Sequence, residues 1–149
     1  MTEVLFYHLQ QQPLERVLPE LLEKCLERKW RAVVQVGSEA RRDALDAHLW
    51  IYRDEGFLPH GTMKDGRAAE QPVWLTAADD NPNGANVRFV ADGAETANYS
   101  DYGRVVCLFD GNDLDAVDRA REAWTKAKAA GHDATYWQQS ERGRWEKKA

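Results

Sequence analysis

Two short apolar runs, each followed by a helical pattern, constrain this chain more than any other feature. Val4-Leu5-Phe6-Tyr7 and Ala32-Val33-Val34-Gln35-Val36 are apolar and β-prone, and they read as buried strands. Between them Leu14, Val17, Leu18, Leu21, Leu22 and Cys25 recur at helical spacing, with Glu15, Glu20, Glu23 and Lys24 largely elsewhere. Pro19 falls inside this segment. Proline is tolerated in a first turn but kinks a helix further in, so the regular part is expected to begin near Pro19. Gly37 closes the second strand, Ser38 is a good N-cap, and a second helix is predicted from there to about Arg53. Strand, helix, strand, helix in this order implies a parallel sheet with right-handed crossovers.

Val73-Trp74-Leu75-Thr76, Val87-Arg88-Phe89-Val90 and Val105-Val106-Cys107-Leu108-Phe109 add strand candidates, separated by loops rich in Gly, Asn, Asp and Pro. At least five strands are expected. The predicted fold is α/β and Rossmann-like, in three layers, with a mostly parallel central sheet and helices on both faces. No repeat or linker divides the 149 residues, so one domain over 1–149 is expected. Apolar runs stay well short of the roughly 18 residues that a membrane span requires, and the N-terminus has no basic leader pattern. A cytoplasmic location follows as the expectation.

The last helix is the most informative element. Asn112 or Asp113 can cap it and Gly131 can end it in the left-handed conformation. At 100° per residue Ala116, Ala120, Ala123, Ala127 and Ala130 share one narrow stripe, a face small enough to lie close on a sheet. A second stripe, about 110° away, holds Leu114, Val117, Arg121, Trp124 and Lys128. A tryptophan flanked by cations suits a partner that carries both an aromatic or apolar group and negative charge; it equally suits a core edge over which two cations snorkel. Charge is split unevenly along the chain. Residues 1–118 sum to −9, whereas residues 119–149 sum to +4, so the C-terminal part is either fitted to an acidic partner, nucleic acid or an acidic peptide, or is simply a solvated helix and tail.

Chemistry of other kinds is not written in the chain. Val33 to Arg42 resembles the first strand, turn and helix of a nucleotide fold, yet there is neither GxGxxG nor GxxxxGK[ST]. His8, His48, His60 and His132 are scattered without metal-ligand spacing, and Asp110-Gly111-Asn112-Asp113 lacks the ligand ladder of a calcium loop. Cys25 and Cys107 fall in apolar stretches and read as reduced core thiols. Ser38 and Ser100 lack a nucleophile setting. No cofactor, metal or catalytic group is expected.

Two aromatic clusters remain. Leu45, His48, Leu49 and Trp50 close the second helix, and Phe57-Leu58-Pro59-His60-Gly61 follows; they complete a core or form an interface patch. At the other end Tyr136-Trp137 and Trp145 punctuate a segment with Arg142, Arg144, Lys147 and Lys148. Aromatics among cations also suit direct binding of single-stranded nucleic acid, where bases stack on rings and cations track phosphates.

Taken together, Phe6-Tyr7, Leu45-Asp46-Ala47-His48-Leu49-Trp50, Phe57-Leu58-Pro59-His60, Pro72-Val73, Arg121-Glu122-Ala123-Trp124 before Gly131, Tyr136-Trp137-Gln138-Gln139 and Gly143-Arg144-Trp145 resemble, in order and spacing, the chi subunit of bacterial DNA polymerase III holoenzyme. The resemblance implies a Rossmann-like fold without nucleotide chemistry and a non-enzymatic adaptor of the clamp-loader assembly. It implies two partners: a psi-type subunit, and the acidic, phenylalanine-ended tail of single-stranded DNA-binding protein, with DNA reached only indirectly. By that likeness Arg121 and Lys128 would meet the tail's carboxylates and Trp124 would wall a pocket for its ring, helped by Val117 and Tyr136. Trp50 and Phe57 would face the psi-type partner. Where family members often carry a lysine directly after the helix aromatic, this chain has Thr125, so by the resemblance either Lys126 substitutes as the cation or the tail is held more weakly.

Overall fold

The computed structural model describes residues 2–10, 12–51, 60–96, 98–142 and 144–149. The strands are β1 (Glu3–Leu9), β2 (Ala32–Gln35), β3 (Val73–Thr76), β4 (Val87–Val90), β5 (Arg104–Asp110), β6 (Asp133–Gln139) and β7 (Trp145–Lys147); the helices are α1 (Leu14–Glu27), α2 (Glu39–Ile51) and α3 (Leu114–Ala129). One sheet runs in the order β3-β2-β4-β5-β1-β6-β7. Neighbours are parallel throughout except β6 and β7, which pair antiparallel. Every residue of β2, β3 and β4 is buried, as a parallel strand covered on both faces must be.

α1 and α2 cover one face, where Leu18, Leu22 and Leu45 pack with Val34, Phe89 and Val106. α3 covers the other, where Ala120 and Ala127 meet Phe6, Val33, Val105 and Ala134. Three layers result, as the alternation of elements predicts. β6 and β7 extend the five strands read from sequence, and no helix pattern separates them, because a short hairpin joins antiparallel neighbours.

α1 begins at Leu14, well before Pro19, and Pro19 lies inside it. The expected late start fails for a tertiary reason. Proline leaves the Glu15 carbonyl without its helical donor, and His48 of α2 donates from Nε2 to that carbonyl at 2.8 Å. A neighbouring helix thus closes the gap in the ladder. At the head of α2 the Ser38 hydroxyl accepts from the Arg41 N–H at 3.2 Å, the N-cap expected there. The second helix is described as far as Ile51; residues 52–59, including Arg53 and Phe57, lie outside the described residues.

α3 has both of its ends sealed. Asp113 accepts from the N–H groups of Asp115 and Ala116 at 3.0 and 3.4 Å. At the C-terminus His132 donates to the Ala127 carbonyl and Gly131 to that of Lys128, each at 3.1 Å, with Gly131 at φ 84°. This double closure needs a left-handed residue, which glycine adopts without steric cost. Because α1 follows β1 on one face while α3 follows the adjacent β5 on the other, the chain changes face beyond the carboxyl ends of these two strands. A cavity of about 1030 Å³ opens there, lined among others by Leu9, Glu15, Arg41, Asp92 and Phe109.

Candidate functional site

The α3 flank that carries Arg121 and Trp124 is built on β5, β1 and β6. In register, Phe6 lies beside Tyr136, and His8 lies beside Phe109 and Gln138. Period-two alternation sends Phe6, His8, Phe109 and Tyr136 to the α3 side. The alanine stripe seats α3 close to the sheet, with Ala120 and Ala127 buried and Ala123 half-buried. Helical phasing then turns Val117, Arg121, Trp124 and Lys128 toward the flank: Val117 and Trp124 are half-buried, Arg121 and Lys128 exposed.

Trp124 does not stand free of the core. Its ring meets Phe6 edge-on at 5.5 Å and 65°, and Tyr136 at 6.2 Å and 79°. The phasing that places it on the outward stripe is right about direction, but a ring this long reaches back over the alanines. Lys128 holds its ammonium 5.0 Å from the Trp124 centroid, a cation–π contact of about 0.5–2 kcal/mol. Tyr136 extends the aromatic wall, and its hydroxyl lies 2.5 Å from His8 Nδ1. His8 in turn packs edge-on against Phe109 at 5.2 Å.

Electrostatics complete the site. Burial raises the Tyr136 pKa while the nearby Arg121 charge opposes it. Burial lowers that of His8, Asp110 works against this, and Arg121 adds to it. Among the described residues neither Arg121 nor Lys128 is ion-paired to a carboxylate. Two uncommitted cations beside an aromatic wall can take a carboxylate and a ring together.

Of the neighbours on α3, Thr125 turns its hydroxyl back onto the Arg121 carbonyl at 3.0 Å. Lys126 lines the cavity, about 200° round the helix from Trp124. That cavity stands where doubly wound sheets hold nucleotides, yet its Arg41 is already paired with both Glu15 and Asp92. Glu95 and Asp110 add further negative charge.

The C-terminal aromatics are divided by the sheet. Tyr136 faces α3, whereas Tyr7 and Trp145 belong to the core on the α1 side and pack edge-on at 4.9 Å. Trp137 sits beside Tyr7 in register and donates to Thr135. No single platform gathers Tyr136, Trp137 and Trp145.

The second candidate surface lies on α2, on the face of the sheet opposite α3. Trp50 is 51% exposed at the end of α2, next to Ile51, and Met63 is exposed as well. The Trp50 ring leans on His60 at 4.8 Å, and buried His60 contacts Asp46 at 3.0 Å. Lys64 reaches Asp43 at 2.9 Å and ties the segment around Met63 to α2. Phe57 cannot be placed against this patch, since it lies outside the described residues.

Sequence reasoning missed His8 and Phe109 as parts of the α3 flank. The signal for His8 was its place two residues after Phe6, which puts both on one strand face; the neighbour across the sheet that gives it a role is visible only in the fold.

A family model described as DNA polymerase III chi subunit, HolC, matches residues 1–135. That stretch includes Val117, Arg121, Trp124 and Lys128 but stops just short of Tyr136. A protein of Rickettsia prowazekii named "Probable DNA polymerase III subunit chi" is 28% identical over 97 residues, 65% of this chain and 59% of the relative. "DNA polymerase III subunit chi" of Pseudomonas aeruginosa is 42% identical over 53 residues, 33% of this chain and 36% of the relative. The chain therefore matches well under two-thirds of either relative's length.

Proposed function

The chain belongs to the DNA polymerase III chi subunit family, and from that premise we propose that it serves DNA replication as a non-enzymatic accessory subunit with two docking surfaces. The α3 flank takes the acidic C-terminal tail of single-stranded DNA-binding protein, and the Trp50 end of α2 takes a psi-type subunit of the clamp loader. DNA is reached through these partners, and the protein works in the cytoplasm at the replisome.

The observation that carries this reading is the grouping of uncommitted cations with an aromatic wall: Arg121, Lys128, Trp124 and Tyr136. An acidic peptide ending in phenylalanine offers the complementary set. Its terminal carboxylate suits the Arg121 fork, its remaining acids suit Lys128, and its ring suits the wall beside Val117. Trp50 and Ile51 at the end of α2, and Met63, are large apolar side chains exposed to solvent, of the kind a partner helix or loop covers.

Fluorescence anisotropy with a labelled acidic peptide ending in Phe tests the tail surface. Micromolar binding that weakens with salt is expected, reduced at least ~10-fold by Arg121→Ala or Trp124→Ala. Arg67→Ala, which removes an exposed cation near β3 at the opposite sheet edge, is the charge-matched control. Equal losses in Arg121→Ala and Arg67→Ala, with Trp124→Ala unchanged, would assign the binding to net charge and reject the flank as the site.

A further inference from the structure

Beneath the α3 flank, His8 is only 8% exposed, and one of its nitrogens, Nδ1, lies 2.5 Å from the Tyr136 hydroxyl. The other, Nε2, is buried with no hydrogen-bond partner. It presses on the turn between β5 and α3 so closely that a Cβ at Gly111 would stand 2.0 Å from it. The charged and titratable groups facing the imidazole are Asp110 at the end of β5, Arg121 on α3 and Tyr136 on β6.

The direction of the His8–Tyr136 hydrogen bond follows the tautomer and the charge of the ring. With its single proton on Nε2, neutral His8 accepts at Nδ1 and the phenol donates to it. In that state Tyr136 has no proton to offer an anion. A protonated imidazole donates from Nδ1 instead, which frees the phenolic O–H to point out of the flank.

Resting on the reading of this flank as a site for a carboxylate-ended acidic peptide, we propose that His8 is a buried specificity residue of that site. One proton taken from solvent at Nδ1 reverses the hydrogen bond and makes Tyr136 a donor to the incoming carboxylate. Peptide and proton then bind together.

The sign of the effect is set by linkage. In the free protein burial holds the His8 pKa below its usual 6.5. A carboxylate brought beside Arg121 and Tyr136 places negative charge near the imidazole and raises that pKa in the complex. Affinity is lowest above both values, rises as pH falls through the value in the complex, and levels off below the value of the free protein. Each unit of difference between them corresponds to about tenfold in affinity.

Anisotropy titrations with the acidic peptide ending in Phe, from about pH 8 to about pH 5.5, cover the range in which a histidine changes charge. Binding ~3- to 10-fold tighter at the acid end is expected, with the pH dependence abolished by His8→Gln and diminished by Tyr136→Phe. An NMR titration of the His8 imidazole in the unaltered protein, with and without peptide, reads the same linkage should His8→Gln fail to fold; its midpoint is expected to move up with peptide. If the peptide binds and Arg121→Ala weakens it, but affinity is flat with pH and the His8 midpoint does not move, the role of His8 is overturned and the tail site stands. If no peptide binds at any pH, the tail site falls and His8's role with it.

Discussion

Arg88 carries a positive charge in β4 with no exposed surface. It is tolerated because its guanidinium is fully occupied. Nε and Nη2 donate to Gln35 Oε1 at 3.2 and 2.6 Å, and Nη2 also donates to the Ala78 carbonyl at 3.0 Å. Nη1 donates to the Asp80 carbonyl at 2.6 Å and to the Tyr102 hydroxyl at 2.9 Å, while the Asp79 carboxylate lies 3.3 Å away. One arginine thus fastens the loop after β3 and the start of β5 to the middle of the sheet. Arg88→Met keeps most of the stem but strands these acceptors, and a stability loss of about 3 kcal/mol is expected in urea unfolding. A loss below ~1 kcal/mol would show that water replaces the guanidinium. From sequence Arg88 was legible as a strand residue only; its burial depends on partners 8 to 53 residues away.

At the scale of elements, α1 and α2 are coupled through the Glu15–Arg41 ion pair and through a hydrogen bond that a proline made necessary. His48→Phe removes the donor to the Glu15 carbonyl, which costs about 1 kcal/mol where Pro19 leaves that carbonyl bare. In a Pro19→Ala background position 19 regains an N–H, so the same substitution should cost less. A double-mutant cycle by thermal or urea unfolding is expected to return a coupling of about 0.5–1 kcal/mol; strict additivity would mean this hydrogen bond adds nothing to the packing and the Glu15–Arg41 ion pair that also join the helices. α3 is legible in advance because its information is local: the Asp113 cap, the Gly131 stop and the alanine repeat all lie within one stretch. The start of α1 is not, because its missing donor is supplied by another helix.

Across the whole molecule, two cores share the same strands. Phe6 and Tyr7, Val33 and Val34, and Val105 and Val106 point alternately into one core and the other or pack beside it, so neither layer can melt while the other keeps its sheet. We propose that the 149 residues unfold as one unit. Tryptophan fluorescence reports both sides, through Trp74 in one core and Trp30 and Trp145 beside the other. Its urea midpoint is expected to coincide with that of far-UV circular dichroism, with a slope of about 1–3 kcal/mol/M. Separate midpoints would divide the chain into independent units.

What the sequence determined by itself was everything carried by short-range pattern. Buried strands announced themselves as apolar runs, α3 as a capped and phased helix, and the stripe of Val117, Arg121, Trp124 and Lys128 as a face, because backbone geometry fixes periods of two and 3.6 without reference to neighbours. The tertiary structure decided how deep each of those side chains sits and what stands beside it. It drew Trp124 back against Phe6, set Tyr136 on one face of the sheet and Trp145 on the other, and brought His8 against Tyr136. Those outcomes depend on strand order and register, which place residues more than a hundred positions apart side by side and which no local window of sequence contains.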